Sequence, residues 1–197
     1  MLPRGMTLLA VFFFSTQPSA AFHDYIDRNS NTVTTTHQAA YRVSIIESFE
    51  PLGELHHRQE SNGRMFKVSF AAFSKGSDIV LIHAETLEEP TGILDYGHLD
   101  QVKMDGVAVS IREQCVPAEA EAALADNPEA NFVKDNGFDL RLPFLLTQHL
   151  ITSDDGNAEV VISYGRGVED CDVISESIRK DIRLRVENSI TLERLTD

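Results

Sequence analysis

Short stretches of alternating hydrophobic and polar residues recur along the chain from residue 41 onward. In 41–45 and 66–70 every second residue is apolar, and 79–82 is apolar throughout. A period of two residues places one face of a β-strand in a core, and an unbroken apolar run suits a strand that is buried on both faces. Strands are predicted on this basis for 41–45, 66–72, 79–82, 107–112, 138–146, 159–164 and 182–192.

The segments between the predicted strands are rich in turn-forming residues. Positions 105–106 and 154–157 are Asp/Gly turns of the kind that connect antiparallel strands. The longer segment 53–63 begins and ends with glycine and is mostly polar, so we expect a loop there. That loop would carry His56 and His57.

One segment has the composition of a helix. Residues 117–126 are rich in alanine, which has the highest helix propensity. Pro117 suits the first turn of a helix, and Asn127-Pro128 is predicted to end it.

Together these elements predict a mostly β fold, either an antiparallel β-sandwich or an open barrel with one short helix at about 117–126. A parallel sheet is disfavoured because crossover helices are missing. The β-rich part, 41–197, is predicted to be a single domain. A polar N-terminal arm, 22–40, would precede it and carry one edge strand at 32–36.

Residues 1–21 have the three zones of a secretory signal peptide. A short basic start is followed by the apolar run 7–14 and then by small and polar residues. The apolar run is too short to cross a bilayer. Ser19 and Ala21 are small enough for signal peptidase, so cleavage is predicted near Ala21-Phe22, with an uncleaved anchor as the alternative. We therefore expect a periplasmic or secreted protein.

The chain contains two cysteines, Cys115 and Cys171. In an oxidising compartment an even pair normally forms a disulfide. The alternative is a reactive thiol. Cys171 lies between acidic residues, which raise a thiol pKa and so disfavour a nucleophilic role.

Acidic residues outnumber basic ones, and the formal net charge is −14. Such a charge disfavours nucleic-acid binding, since affinity for phosphate backbones comes from Lys and Arg. No second long apolar segment follows the signal, so stable membrane insertion of the mature chain is not predicted. One basic cluster could bind an anion or a partner, or could offset nearby carboxylates on a strand face: Arg179, Lys180, Arg183 and Arg185.

The densest group of titratable residues is the segment that contains Asp95, His98 and Asp100. These side chains could form an acid/base catalytic site or an oxygen-ligand site for calcium. The spacing does not match an EF-hand. A polar loop between strands is the structural alternative.

Adjacent histidines, His56 and His57, suggest a second kind of site. An exposed histidine pair can bind Cu(II), Ni(II) or Zn(II), so a divalent metal ion is the cofactor to consider. On a strand the two rings would point to opposite faces, whereas in a loop both could turn outward.

No motif for covalent catalysis or nucleotide binding is present. The first functional hypothesis is therefore an exported β-domain that binds a partner protein or a small ligand. An exported hydrolase or metal-dependent enzyme that uses the 95–105 loop is the second hypothesis. A periplasmic metal-handling protein is the third.

Overall fold

The computed structural model describes residues 24–90 and 94–195, so the predicted signal peptide lies outside the described residues. Within these ranges the chain forms two antiparallel sheets that face each other and do not close into a barrel. This confirms the predicted mostly β class and is consistent with a β-sandwich. In spatial order, the smaller sheet contains β1 (Ile26–Asn29), β2 (Thr32–Thr35), β3 (Tyr41–Ile45) and β11 (Ile190–Arg194).

The larger sheet has seven strands, and each neighbouring pair is antiparallel. Its central strands are buried on both faces, which is why 79–82 is continuously apolar. In spatial order its strands are β4 (Glu50–Ser61), β5 (Arg64–Lys75), β6 (Asp78–Leu87), β10 (Ala158–Gly167), β9 (Phe144–Thr152), β8 (Val107–Val116) and β7 (Asp100–Met104).

Two hydrophobic cores lie on opposite faces of the seven-stranded sheet. Successive residues of a strand point to opposite faces, so Phe73 belongs to one core and Phe70 to the other. The first core fills the space between the sheets and includes Val43. The second covers the outer face and includes Val133 and Phe138.

The helical content is larger than predicted. The segment 117–126 contains a 3₁₀ turn, Ala118–Ala120, and a short helix, α1 (Glu121–Leu124). Asn127-Pro128 does not end the helical region, because a second helix, α2 (Pro128–Asp135), begins there. The Asn127 side chain accepts a hydrogen bond from the amide of Ala130, and proline is favoured at a first helical position.

The strand predicted from residue 182 is wrong in its first half. Residues Glu176–Ser189 form a helix, α3, and β11 begins only at Ile190. Ile182 and Val186 are buried and lie four residues apart on one helix face, whereas Leu184 is 47% exposed. Alternation over 182–186 is therefore also compatible with a helix.

Three further segments differ from the sequence-based expectation. The predicted loop 53–63 is mostly part of β4, which pairs with β5 along its length. The segment 22–40 contributes two strands, and β2 lies inside the smaller sheet between β1 and β3 rather than at its edge. Residues 138–142 are not a strand: after α2 the Phe138 amide donates to the carbonyl of Val133, and the Phe138 side chain packs in the second core.

The two cysteines form a disulfide with an S–S distance of 2.04 Å, which confirms the predicted pairing. The bond joins the end of β8 to the segment that precedes α3. Among the described residues, no helix combines the length and apolar character that crossing a bilayer requires.

Candidate functional site

A cavity of about 640 Å³ opens on the outer face of the seven-stranded sheet. Its floor consists of side chains from β6, β8, β9 and β10. Its walls come from α1, the start of α2, the segment 94–99 and the β4–β5 hairpin between residues 59 and 66. The cavity therefore lies beside the second hydrophobic core rather than between the two sheets.

Strand register determines which polar side chains meet on the cavity floor. Glu85 on β6 is directly opposite Glu159 on β10, and His83 is opposite Val161. His57 on β4 lies in the same cross-strand row as Glu85, with Val68 of β5 between them. One row of the sheet thus carries three ionisable groups on a single face.

Glu129, at the start of α2, lies between two histidines of the sheet. Its carboxylate oxygens are 3.2 Å from His57 Nε2 and 3.1 Å from His83 Nε2. Although burial opposes the charged imidazole, the Glu129 carboxylate raises the pKa of His83 to about 9. The pKa of Glu129 is lowered correspondingly, against the effect of its own burial, by its two histidine partners. At neutral pH His83 and Glu129 therefore form a buried ion pair.

The second polar group on the floor consists of two carboxyl groups, Glu85 and Glu159. Burial and the neighbouring Glu159 raise the pKa of Glu85 to about 8. Burial also raises the pKa of Glu159, whose Oε2 accepts a hydrogen bond of 2.6 Å from the hydroxyl of Tyr96. Arg112 is close enough to oppose both shifts, and its Nε donates to Gln148 Oε1 at 2.9 Å.

Apolar side chains surround these polar groups. They include aliphatic residues on the sheet and on the elements that cover it, so the lining is amphipathic. The leucine and valine lining residues are Leu81, Leu94, Leu99, Val116, Leu124, Leu146, Leu150 and Val161.

The loop residues predicted as a catalytic or calcium site are only partly brought together. Asp95 and His98 are exposed at the margin of the cavity, where both contribute to its lining. Asp95 Oδ1 accepts a hydrogen bond from the amide of Gly97 at 2.7 Å, within its own loop. Asp100 is exposed at the start of β7 and does not line the cavity.

The two adjacent histidines point to opposite faces of β4, as expected for neighbours on a strand. His56 Nδ1 contacts Ser69 Oγ at 3.0 Å, whereas His57 faces Glu129. In the part of the chain that the structure describes, no three His, Cys, Asp or Glu side chains are grouped so that they could hold a metal ion.

Carboxylates surround the basic cluster on α3. Arg179 pairs with Glu113 of β8, and Arg183 pairs with Glu176. Arg185 contacts Asp181 and also Asp78 of β6. The expectation that these cations offset nearby carboxylates therefore describes the arginines correctly, although on a helix rather than a strand.

Sequence reasoning missed the residues that form the cavity floor. A signal existed for two of them: Glu85 and Glu159 are carboxyl groups within largely apolar strands, where a charge is expensive to bury. Nothing local singled out Glu129, because its partners are distant in sequence. No family model matches the chain, and neither a curated protein nor a solved structure resembles it closely enough to count as a match.

Proposed function

We propose that this chain is an exported domain that binds a small organic molecule in the cavity on the outer face of its seven-stranded sheet. One observation carries the proposal: a cavity of about 640 Å³ combines aliphatic walls with ionisable groups gathered on its floor. Small-molecule sites typically have volumes of about 300–1,000 Å³ and a few polar groups among apolar ones.

The energetics of the floor support a binding role. Burying ionisable side chains costs free energy, and an apolar floor would stabilise the same fold at least as well. Glu85, Glu129 and Glu159 nevertheless all line this one cavity. Groups with strongly shifted pKa values in a cavity are common at binding and catalytic sites.

Two features support export. The N-terminal residues 1–21 have the zones of a signal peptide. Disulfides persist mainly outside the reducing cytosol, and Cys115–Cys171 is such a bond.

Mass spectrometry of the native protein tests the proposed export: a chain that begins at Phe22 supports export, whereas one that retains Met1 and two free thiols contradicts it.

The binding role is tested by filling the cavity. Leu81 lies on the cavity floor and is half-buried, so Leu81→Trp places an indole in the space that a ligand would occupy. The control is Val102→Trp on β7, because Val102 is 37% exposed and lines no part of the cavity. Ligand-observed NMR with a mixed library of small cations, anions and neutral amphiphiles measures binding to each protein.

We expect the wild type and Val102→Trp to bind the same compounds and Leu81→Trp to lose them. Amide hydrogen exchange establishes that each variant is folded. If the folded Leu81→Trp protein binds as the wild type does, or if the wild type binds nothing, the proposed function is wrong.

A further inference from the structure

We propose that the ligand of this cavity carries a protonated amine, which the carboxyl groups of Glu85 and Glu159 receive while the aliphatic walls hold its apolar part. This inference rests on the proposed function and adds the chemical class of the ligand. It starts from the position of the two glutamates, which are directly opposite each other on neighbouring strands.

Like charges in direct cross-strand positions destabilise a sheet. Only one member of this pair is compensated by a side chain: Glu159 accepts a hydrogen bond from the hydroxyl of Tyr96. No hydrogen bond or ion pair involving the Glu85 side chain exists among the described residues, although that side chain lines the cavity. An ammonium group placed against the pair would turn its repulsion into attraction.

Four charged side chains act on Glu85. His83 on β6 pairs with Glu129 of α2, and Arg112 on β8 donates to the uncharged amide of Gln148. Glu159 on β10 completes the set. When Glu85 is ionised, two carboxylates lie opposite each other on the cavity floor, and the chain as a whole, at −14, attracts cations.

Binding of an ammonium group should release a proton from the pair. Since the pKa of Glu85 is raised to about 8, this carboxyl group holds its proton at pH 7 in the free protein. A neighbouring cation favours the ionised carboxylate, so the proton leaves as the ammonium group binds.

Three probes with closely matched bodies test the charge preference: phenethylammonium, phenethyl alcohol and phenylacetate. Calorimetry at pH 7 in two buffers of different ionisation enthalpy gives both the affinity and the number of protons released. The variant is Glu85→Gln. The matched control is Glu50→Gln, which removes one exposed carboxylate from the same sheet outside the cavity, so the net charge changes equally.

We expect phenethylammonium to bind about tenfold more tightly than the alcohol. A hydrogen bond that involves a charged group contributes more to affinity than one between neutral groups, and the difference corresponds to about this ratio. Close to one proton should be released in the wild type and in Glu50→Gln. Glu85→Gln should lose both the cation preference and the proton release, while its affinity for the alcohol stays the same.

The outcomes separate the two proposals. Equal binding of the three probes, tighter binding of phenylacetate, or an unchanged preference in Glu85→Gln would overturn the amine inference and leave the binding function intact. Failure of all three probes to bind the wild type would overturn the inference together with the function on which it rests.

Discussion

The carboxylate of Glu129 determines the charge state of His83. Burial alone would make His83 neutral, as it lowers the pKa of His37 and of His149, which have only backbone hydrogen bonds. Next to Glu129 the direction reverses, and His83 keeps its proton up to a pH of about 9. The main difference between these buried imidazoles is the Glu129 carboxylate supplied by α2, to which Glu85 adds a smaller effect.

Glu129→Gln is therefore expected to make His83 neutral at pH 7. NMR titration of the imidazole should give a pKa near 9 in the wild type and below 6.5 in the variant, because burial then dominates. The control is Glu121→Gln, on an exposed part of α1 that does not line the cavity. A His83 pKa that stays near 9 in Glu129→Gln would show that another group holds the proton.

The same substitution gives a pH-dependent loss of stability. A raised pKa in the folded state stabilises the protein fully below the unfolded-state value of 6.5, and this stabilisation disappears as the pH rises through about 9. Chemical denaturation of Glu129→Gln should show a loss of about 2 kcal/mol at pH 6, which shrinks toward pH 10. A loss independent of pH over this range would contradict the ion pair.

Element by element, strands were easier to predict than helices. The period of two residues in 66–72 and 107–112 identified two strands of the larger sheet, because one face of each packs on a core. The alternation of Ile182, Leu184 and Val186 predicts a strand, but in helix α3 only Ile182 and Val186, four residues apart, share the buried face. Asn127-Pro128 predicts the end of a helix, whereas in the structure these residues cap and begin α2.

Buried polar contacts anchor helix α3 to the larger sheet. Asp78 at the start of β6 is 6% exposed, and its Oδ2 accepts hydrogen bonds from the Tyr164 hydroxyl at 2.8 Å and from Arg185 Nη1 at 3.0 Å. Arg166 bridges from β10 to Asp181 of the helix at 2.7 Å. The burial of Ile182 adds an apolar contact on the same side of α3.

Asp78→Asn is expected to loosen this anchor. The amide accepts more weakly than the carboxylate from Tyr164 and Arg185, and Arg185 keeps its pairing with Asp181, so the unfolding free energy should fall by about 2 kcal/mol. The control Asp154→Asn removes a carboxylate that is 93% exposed and 3.4 Å from Arg194, so it should cost less than about 1 kcal/mol. Faster amide exchange in α3 of Asp78→Asn alone would support the anchor, and equal losses in the two variants would contradict it.

At the scale of the whole molecule, the seven-stranded sheet separates a closed core from a surface that carries a cavity. The inner face packs against the smaller sheet and α3, whereas α1, α2 and the segment 94–99 only partly cover the outer face. The disulfide could be predicted because the chain offers one possible pair. The cavity could not, because residues 83, 85, 129 and 159 meet only through strand register and the placement of α2.

A crystallographic fragment screen tests the central claim most directly, because it locates binding without any assumption about the natural ligand. The account predicts that bound fragments concentrate in the cavity, with their polar atoms on Glu85, Glu159 or His83 and their apolar parts on the aliphatic walls. Fragments that bind at other surfaces while this open cavity holds only water would contradict it.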